Sequence, residues 1–146
     1  MTAPYTPLIS EFSRSIRARR TAEQPPTGSQ TVLMFRFPSP GPWEQALTDQ
    51  ARPLAADIAA EPGLRWKIWL EDRKSGHAGG IYLFDDAAAA ERYRAKHIQR
   101  LAAMGLTRVE AHAFQVNAAL SALTLAGAAL DEAGASQPGA TSAAAT

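Results

Sequence analysis

Residues 62–71 read PGLRWKIWLE, and residues 77–84 read HAGGIYLF. Both runs are dense in aromatic and aliphatic side chains, and the residues between them are polar or glycine, which is typical of two strands joined by a turn. The second run also contains two adjacent glycines, and glycine inside a strand marks a bulge or a close approach of another backbone. We therefore predict a β-hairpin, with strands over 64–71 and 77–84, that leaves room for a ligand or a partner strand.

The segments before the hairpin predict one strand and one helix. A strand is expected from Gln30 to Phe37, because the run PSPGP that follows it must form a loop. From Trp43, apolar residues recur every three or four positions until Pro62, which is typical of an amphipathic helix. Pro53 lies within this pattern and predicts either a kink or the start of a new helical segment.

The segments after the hairpin predict a helix, a strand and a short last helix. Asp85 or Asp86 is expected to cap the first of these helices, which ends near Met104 before a glycine. A fourth strand is expected over 107–116, and Asn117 could cap the last helix. The resulting order βαββαβ predicts an α+β, ferredoxin-like fold, with both long helices on one face of an antiparallel sheet.

Composition excludes several classes of protein. The chain has 146 residues, of which 46% are hydrophobic, and this suits one domain with a core. A formal net charge of +1 provides no field that would attract nucleic acid or a membrane surface, so we expect neither partner. The chain lacks cysteine and its three histidines have no metal-ligand spacing, so no metal site is predicted. Without an export signal or an apolar span, we expect a cytoplasmic protein.

The two ends of the chain differ in composition from its middle. Residues 1–29 are rich in Pro, Ser, Thr and Arg and are predicted to form a flexible arm. Residues 132–146 consist mainly of Ala, Gly, Ser and Thr and are predicted to be a disordered tail. The folded domain is therefore expected over 30–131.

Apolar residues occupy both faces of the predicted sheet. In the first strand Met34 is apolar, and so are its neighbours Leu33 and Phe35. Helices on one face cannot cover the other, and an apolar patch of that size is unusual on a soluble monomer. We therefore predict a homodimer joined sheet to sheet. The alternative is that the terminal segments fold over the open face.

Several segments carry a resemblance to a known family. They are EPGLRWKIW at 61–69, AGGIYLF at 78–84, Tyr93 with Lys96-His97 and Arg100-Leu101, and FQVN at 114–117 before Leu120-Ser121. Over about residues 30–125 the chain resembles the YdhR-type mono-oxygenases. The resemblance implies a dimeric α+β barrel with a pocket between sheet and helices, and a mono-oxygenase that uses no cofactor.

His97 is the leading candidate for a catalytic base. Ala90, Tyr93, His97 and Leu101 fall on one stripe of the second helix, so His97 is predicted to face the sheet. A half-buried histidine titrates near neutrality and could take a phenolic or enolic proton from a substrate. The alternative is a structural histidine, hydrogen-bonded to Tyr93 or to a backbone carbonyl.

The predicted substrate-binding residues are mostly aromatic. Trp66 and Trp69 have opposite parity in the second strand, so we assign Trp66 to the helix-covered face and Trp69 to the dimer interface or rim. The alternative, which is favoured for either tryptophan taken alone, is a role in core packing. Tyr82 could donate a hydrogen bond to a substrate carbonyl or cap the interface, and Tyr93 could shape the pocket. Asn117 could bind substrate or act only as a helix cap.

These residues predict a homodimeric enzyme with a small-molecule substrate. The first hypothesis is a cofactor-independent mono-oxygenase that acts on a small aromatic or polyketide-like compound, with His97 as its base. An isomerase, cyclase or dehydratase would need the same base but no dioxygen. A non-catalytic, small-ligand-binding stress-response module is the third alternative, favoured if His97 is fully packed with no cavity beside it.

Overall fold

A four-stranded antiparallel sheet and two long helices form the framework. The structure, a computed structural model, describes residues 29–131. Its elements are β1 (Thr31–Pro38), α1 (Glu44–Ala59), β2 (Leu64–Asp72), β3 (His77–Phe84), α2 (Ala87–Ala103), β4 (Glu110–Gln115), α3 (Ala118–Leu123) and α4 (Gly127–Asp131). The strands lie in the order β2-β3-β1-β4, and each neighbouring pair is antiparallel. The predicted ferredoxin-like α+β fold is thereby confirmed.

The element bounds differ from the predicted ones at a few points. β4 begins at Glu110 and not at Thr107, because Arg108 has a φ of 54°, a left-handed conformation that a strand does not accommodate. Pro53 lies inside a continuous α1, so no new helix begins there. The last helix is divided into α3 and α4. The predicted tail and all of the predicted arm except Ser29 lie outside the described residues.

The core lies between the helices and one face of the sheet. In β1, Leu33 and Phe35 are buried, whereas Met34 between them is 40% exposed. The inner stripe of α2 packs against this face, and its predicted members are all buried: Ala90, Tyr93, His97 and Leu101. Burial of each large apolar side chain stabilises the fold by about 1.5–3 kcal/mol relative to its exposure.

A bulge in β2 changes which side chains face the helices. Leu64 is the register partner of Phe84, but Trp66 is the partner of Leu83, so Arg65 is an extra residue in the strand. From this point the alternation of β2 is reversed relative to a regular strand, because side-chain direction has a period of two. Lys67 therefore lies opposite Tyr82, on the face that the helices cover.

The other face of the sheet is covered at one end only. At that end the indole N–H of Trp66 donates to the Ala129 carbonyl over 2.6 Å, and the Gln30 amide donates to the Leu130 carbonyl over 2.8 Å. Leu83, which lies on this face, is fully buried. Elsewhere on the same face the exposed fractions are 40% for Met34, 52% for Ile68 and 55% for Phe114. The C-terminal helix thus covers part of the open face, as the alternative to a dimer supposed, but leaves much of it apolar and exposed.

Helix length bears on the question of a membrane span. Within 29–131, no helix combines the length and the apolar character that crossing a bilayer requires.

Candidate functional site

A cavity of about 320 Å³ lies between the sheet, α1, the end of α2 and the loop after β1. Most of its wall is apolar and is contributed by Phe37, Leu47, Leu54, Trp69, Leu101 and Leu106. Five side chains add polar groups to this wall, namely Ser39, Gln50, Lys67, Tyr82 and His97. An apolar cavity with a few convergent polar groups is the usual form of a small-molecule site.

The loop that closes one side of the cavity is fixed to the β2–β3 hairpin. The Ser39 N–H donates to the Gly76 carbonyl over 2.8 Å, and the Glu44 N–H donates to Oε1 of Glu71 over 2.8 Å. Both bonds join the loop to the end of the hairpin at which the turn connects β2 and β3. The cavity wall is therefore held in place by residues distant in sequence.

Lys67 is the cationic side chain of the cavity. Its Nζ lies 3.3 Å from the ring centroid of Trp69 and 4.7 Å from that of Tyr82. Within residues 29–131 it forms no ion pair and no hydrogen bond with a carboxylate. Burial, together with the positive charge of Arg100, lowers the pKa of Lys67 to about 7. Near neutral pH a large fraction of this amine is uncharged.

The paired glycines of β3 provide the space that the Lys67 side chain and the close pairing of β1 with β3 need. A Cβ on Gly80 would lie 2.7 Å from Cε of Lys67, so the missing side chain leaves room for the lysine. A Cβ on Gly79 would overlap the carbonyl oxygen of Phe35 in β1. The expectation of a close backbone approach is met at Gly79, while the room left at Gly80 is filled by Lys67 itself.

Tyr82 and His97 form a buried polar pair beside Lys67. The Tyr82 hydroxyl is hydrogen-bonded to Nε2 of His97 at 3.3 Å, and the two side chains are 1% and 2% exposed. Burial, with the nearby charges of Lys67 and Arg100, lowers the pKa of His97 to about 3. Burial also raises the pKa of Tyr82 to about 12. The imidazole and the phenol are therefore both neutral over the physiological range.

Tyr93 and Arg100, both on α2, are neighbours of the Tyr82–His97 pair. The Tyr93 ring stacks on His97 with centroids 5.0 Å apart, but Tyr93 does not reach the cavity wall. Arg100 is fixed by a hydrogen bond of 2.6 Å from Nη2 to Oδ2 of Asp57. In the described part of the chain, Oη of Tyr93, Nδ1 of His97 and Nη1 of Arg100 are buried without a hydrogen-bond partner. The electrostatic environment of His97 is thus cationic and poorly solvated.

The predicted placement of the two tryptophans is wrong. Trp69 lines the cavity, whereas Trp66 lies on the opposite face, where its indole bonds to Ala129. The cause is the bulge at Arg65, which reverses the alternation on which the assignment depended.

Asn117 lies away from the cavity wall. Its Oδ1 accepts a hydrogen bond of 3.0 Å from the Leu120 N–H, so the residue acts as the N-cap of α3. The structure therefore places it in the second of the two predicted roles. Among residues 29–131, no three His, Asp or Glu side chains come together in a group that could hold a metal ion.

Lys67 was not singled out from the sequence as a functional residue. In a regular strand, Lys67 would share with Arg65 and Glu71 the face that the helices do not cover, because Trp66 would occupy the covered face. A lysine on such a face would be interpreted as a solvated surface charge. The available signal was a single lysine between two tryptophans in a strand, followed in the partner strand by glycines that could make room for it.

Comparison with known proteins assigns the chain to a family. No individual curated protein matches it. The model of the family described as "Putative mono-oxygenase ydhR" matches residues 32–127, about two thirds of the chain. The matched span begins in β1 and ends at the start of α4, and it contains the cavity with Lys67, Tyr82 and His97. The observed fold is consistent with this match, and the chain belongs to the ydhR mono-oxygenase family.

Proposed function

We propose that this protein is a cofactor-independent mono-oxygenase that oxidises a small aromatic or polyketide-like compound inside the cavity. The observation that carries the proposal is the Lys67 amine, which lies over aromatic rings in a mostly apolar cavity. The family description supports the same reaction type. Flat rings and apolar walls favour an aromatic substrate, and the amine favours one with an acidic proton.

The reaction needs a proton acceptor, a dry site and dioxygen. Loss of a phenolic or enolic proton makes the substrate electron-rich enough to react with dioxygen directly. When a methylene becomes a carbonyl, its two C–H bonds break, one oxygen atom stays in the product and the other leaves as water. The substrate supplies all the electrons, so no external reductant is needed.

We assign the proton acceptor to Lys67. With its pKa lowered to about 7, the neutral amine can take the proton and then remain beside the substrate anion as an ammonium ion. His97 has a pKa of about 3 and is a much weaker base. We therefore treat His97 as a positioning residue that holds the Tyr82 hydroxyl, which can donate to a substrate oxygen.

Oxygen uptake tests this assignment. Anthrones and naphthols would be supplied to the wild type, to Lys67→Met and to Lys74→Met, whose lysine lies exposed in the β2–β3 turn. We expect uptake by the wild type and by Lys74→Met, and a loss of about 100-fold in Lys67→Met, the usual contribution of a general base.

Other outcomes of the oxygen experiment would contradict parts of the proposal. Equal uptake by Lys67→Met and the wild type would remove the lysine from the reaction. Substrate conversion without oxygen uptake would indicate an isomerase, cyclase or dehydratase. If no compound gave uptake above buffer, the proposed function would lose its support.

We also propose that the protein acts as a homodimer, joined through the open face of the sheet. The exposed side chains of Met34, Ile68 and Phe114 form an apolar surface there, and a second copy could cover it. We expect light scattering to give twice the chain mass for the wild type and the single mass for Ile68→Glu. Gln99→Glu adds the same charge on the exposed side of α2 and should remain dimeric. A monomeric wild type would contradict the proposal.

A further inference from the structure

The chain contains three lysines, and their surroundings differ sharply. Lys74 is exposed in the β2–β3 turn, and Lys96 forms an ion pair of 2.7 Å with Glu61. Lys67 alone lines the cavity, with its Nζ 3.3 Å from the centroid of the Trp69 ring. A lysine acts as a nucleophile when it is desolvated and close to another cation, because both conditions favour the neutral amine. Lys67 meets both, since it is half-buried at the wall of a mostly apolar cavity and lies in the field of Arg100.

We propose that Lys67 is a nucleophile that forms a reversible imine with aromatic aldehydes and ketones entering the cavity. The proposal goes beyond the proposed function, because proton transfer alone would not require a covalent bond to the lysine. It is supported by the position of Nζ at the cavity wall, by the ring faces beside it and by the absence of a carboxylate partner among the described residues.

The covalent step balances without any further reactant. The Nζ lone pair attacks the carbonyl carbon, and the electrons of the C–O double bond move to oxygen, which takes up a proton. The resulting carbinolamine loses water, so that the carbonyl oxygen leaves with both amine protons and a C=N bond remains. Hydrolysis reverses each step. A carboxylate beside the amine would hold it protonated and prevent the attack, but none of the carboxylates within residues 29–131 pairs with Lys67.

Reductive trapping on the intact wild-type chain tests the proposal directly. Benzaldehyde and cyanoborohydride would be added at pH 7, and peptide mass spectrometry would measure the rate of benzylation at each lysine. Lys74 and Lys96 serve as internal references under identical conditions. We expect Lys67 to react at least ~10-fold faster than Lys74, because Lys67 is desolvated at the wall of a cavity that can hold the aldehyde, whereas Lys74 is exposed to solvent.

A variant that narrows the cavity shows where the reaction takes place. Ala51 lines the cavity, and Ala51→Trp would occupy part of it without touching the exposed turn. We expect this change to slow the labelling of Lys67 and to leave that of Lys74 unchanged. The proposal is overturned if Lys67 reacts no faster than Lys74 in the wild type, or if Ala51→Trp leaves its rate unaltered. Neither result depends on oxygen uptake, so this experiment tests imine formation independently of the proposed mono-oxygenase activity.

Discussion

Replacing Gly79 by alanine is expected to leave the domain largely unfolded. Gly79 lies in β3 between Arg36 of β1 and Leu70 of β2, so its backbone is bonded within the sheet on both sides. A Cβ added there would overlap the carbonyl oxygen of Phe35, a backbone atom that cannot move without breaking the β1–β3 pairing. Overpacking of this kind usually costs 1–3 kcal/mol, and a clash with backbone in a central strand places the expected cost above about 3 kcal/mol.

The measurement is the free energy of unfolding in urea, followed by circular dichroism. Gly127→Ala is the matched control, since a Cβ at Gly127 would have no atom within 4 Å. We expect the control to unfold at the wild-type midpoint, whereas Gly79→Ala should show little folded signal even without denaturant. If the two variants unfolded at the same midpoint, the close approach of β1 and β3 at Gly79 would be wrong.

The fold could be predicted from the sequence because its signals are local. The four-residue stripe on α2 follows from helical periodicity alone, and Asp86 accepts the capping hydrogen bond from the Ala89 N–H over 2.8 Å. The turn and loop residues likewise mark the strand ends without reference to distant parts of the chain. Topology then follows from the order of the elements.

The composition of the site could be predicted only in part, because it depends on strand register. His97 and Tyr82 line the cavity, at the sheet–helix interface that the helix stripe and the aromatic strand predict for them. The bulge at Arg65 has no sequence marker, such as a glycine at that position, and it interchanges the faces of every residue after it in β2. One extra residue thus moved Trp66 out of the site and brought Trp69 and Lys67 into it.

The electrostatic character of the site also depends on long-range packing. A histidine on the inner stripe of a helix could be solvated or dry, depending on what lies across from it. Here Tyr82, Lys67 and Arg100 surround it, and the pKa of His97 falls to about 3, well below the range suited to a base at neutral pH. The sequence placed the histidine correctly, but the positive charges that surround it come from a different strand and from the next turn of its own helix.

Acid is expected to destabilise the protein through His97, with a loss on the order of 5 kcal/mol in the free energy of unfolding. The folded pKa is lowered from 6.5 to about 3, so between these values the unfolded chain binds a proton that the folded chain does not. The stabilisation is therefore complete above pH 6.5 and is lost as the pH falls toward 3. Its size follows from about 1.4 kcal/mol for each unit of pKa difference.

Urea unfolding at a series of pH values from 7 to 4 measures this loss as a slope, namely the change in the free energy of unfolding for each pH unit. In His97→Gln, an amide replaces the imidazole and can still bond to the Tyr82 hydroxyl, but it does not titrate, so we expect the slope to become markedly shallower. His112→Gln removes an exposed histidine from β4 and should keep the wild-type slope. Lys67 titrates from about 7 upward and so adds little to the slope in this range. Equal slopes for His97→Gln and the wild type would mean that His97 is solvated in the folded protein, and that it could act as a base near neutral pH after all.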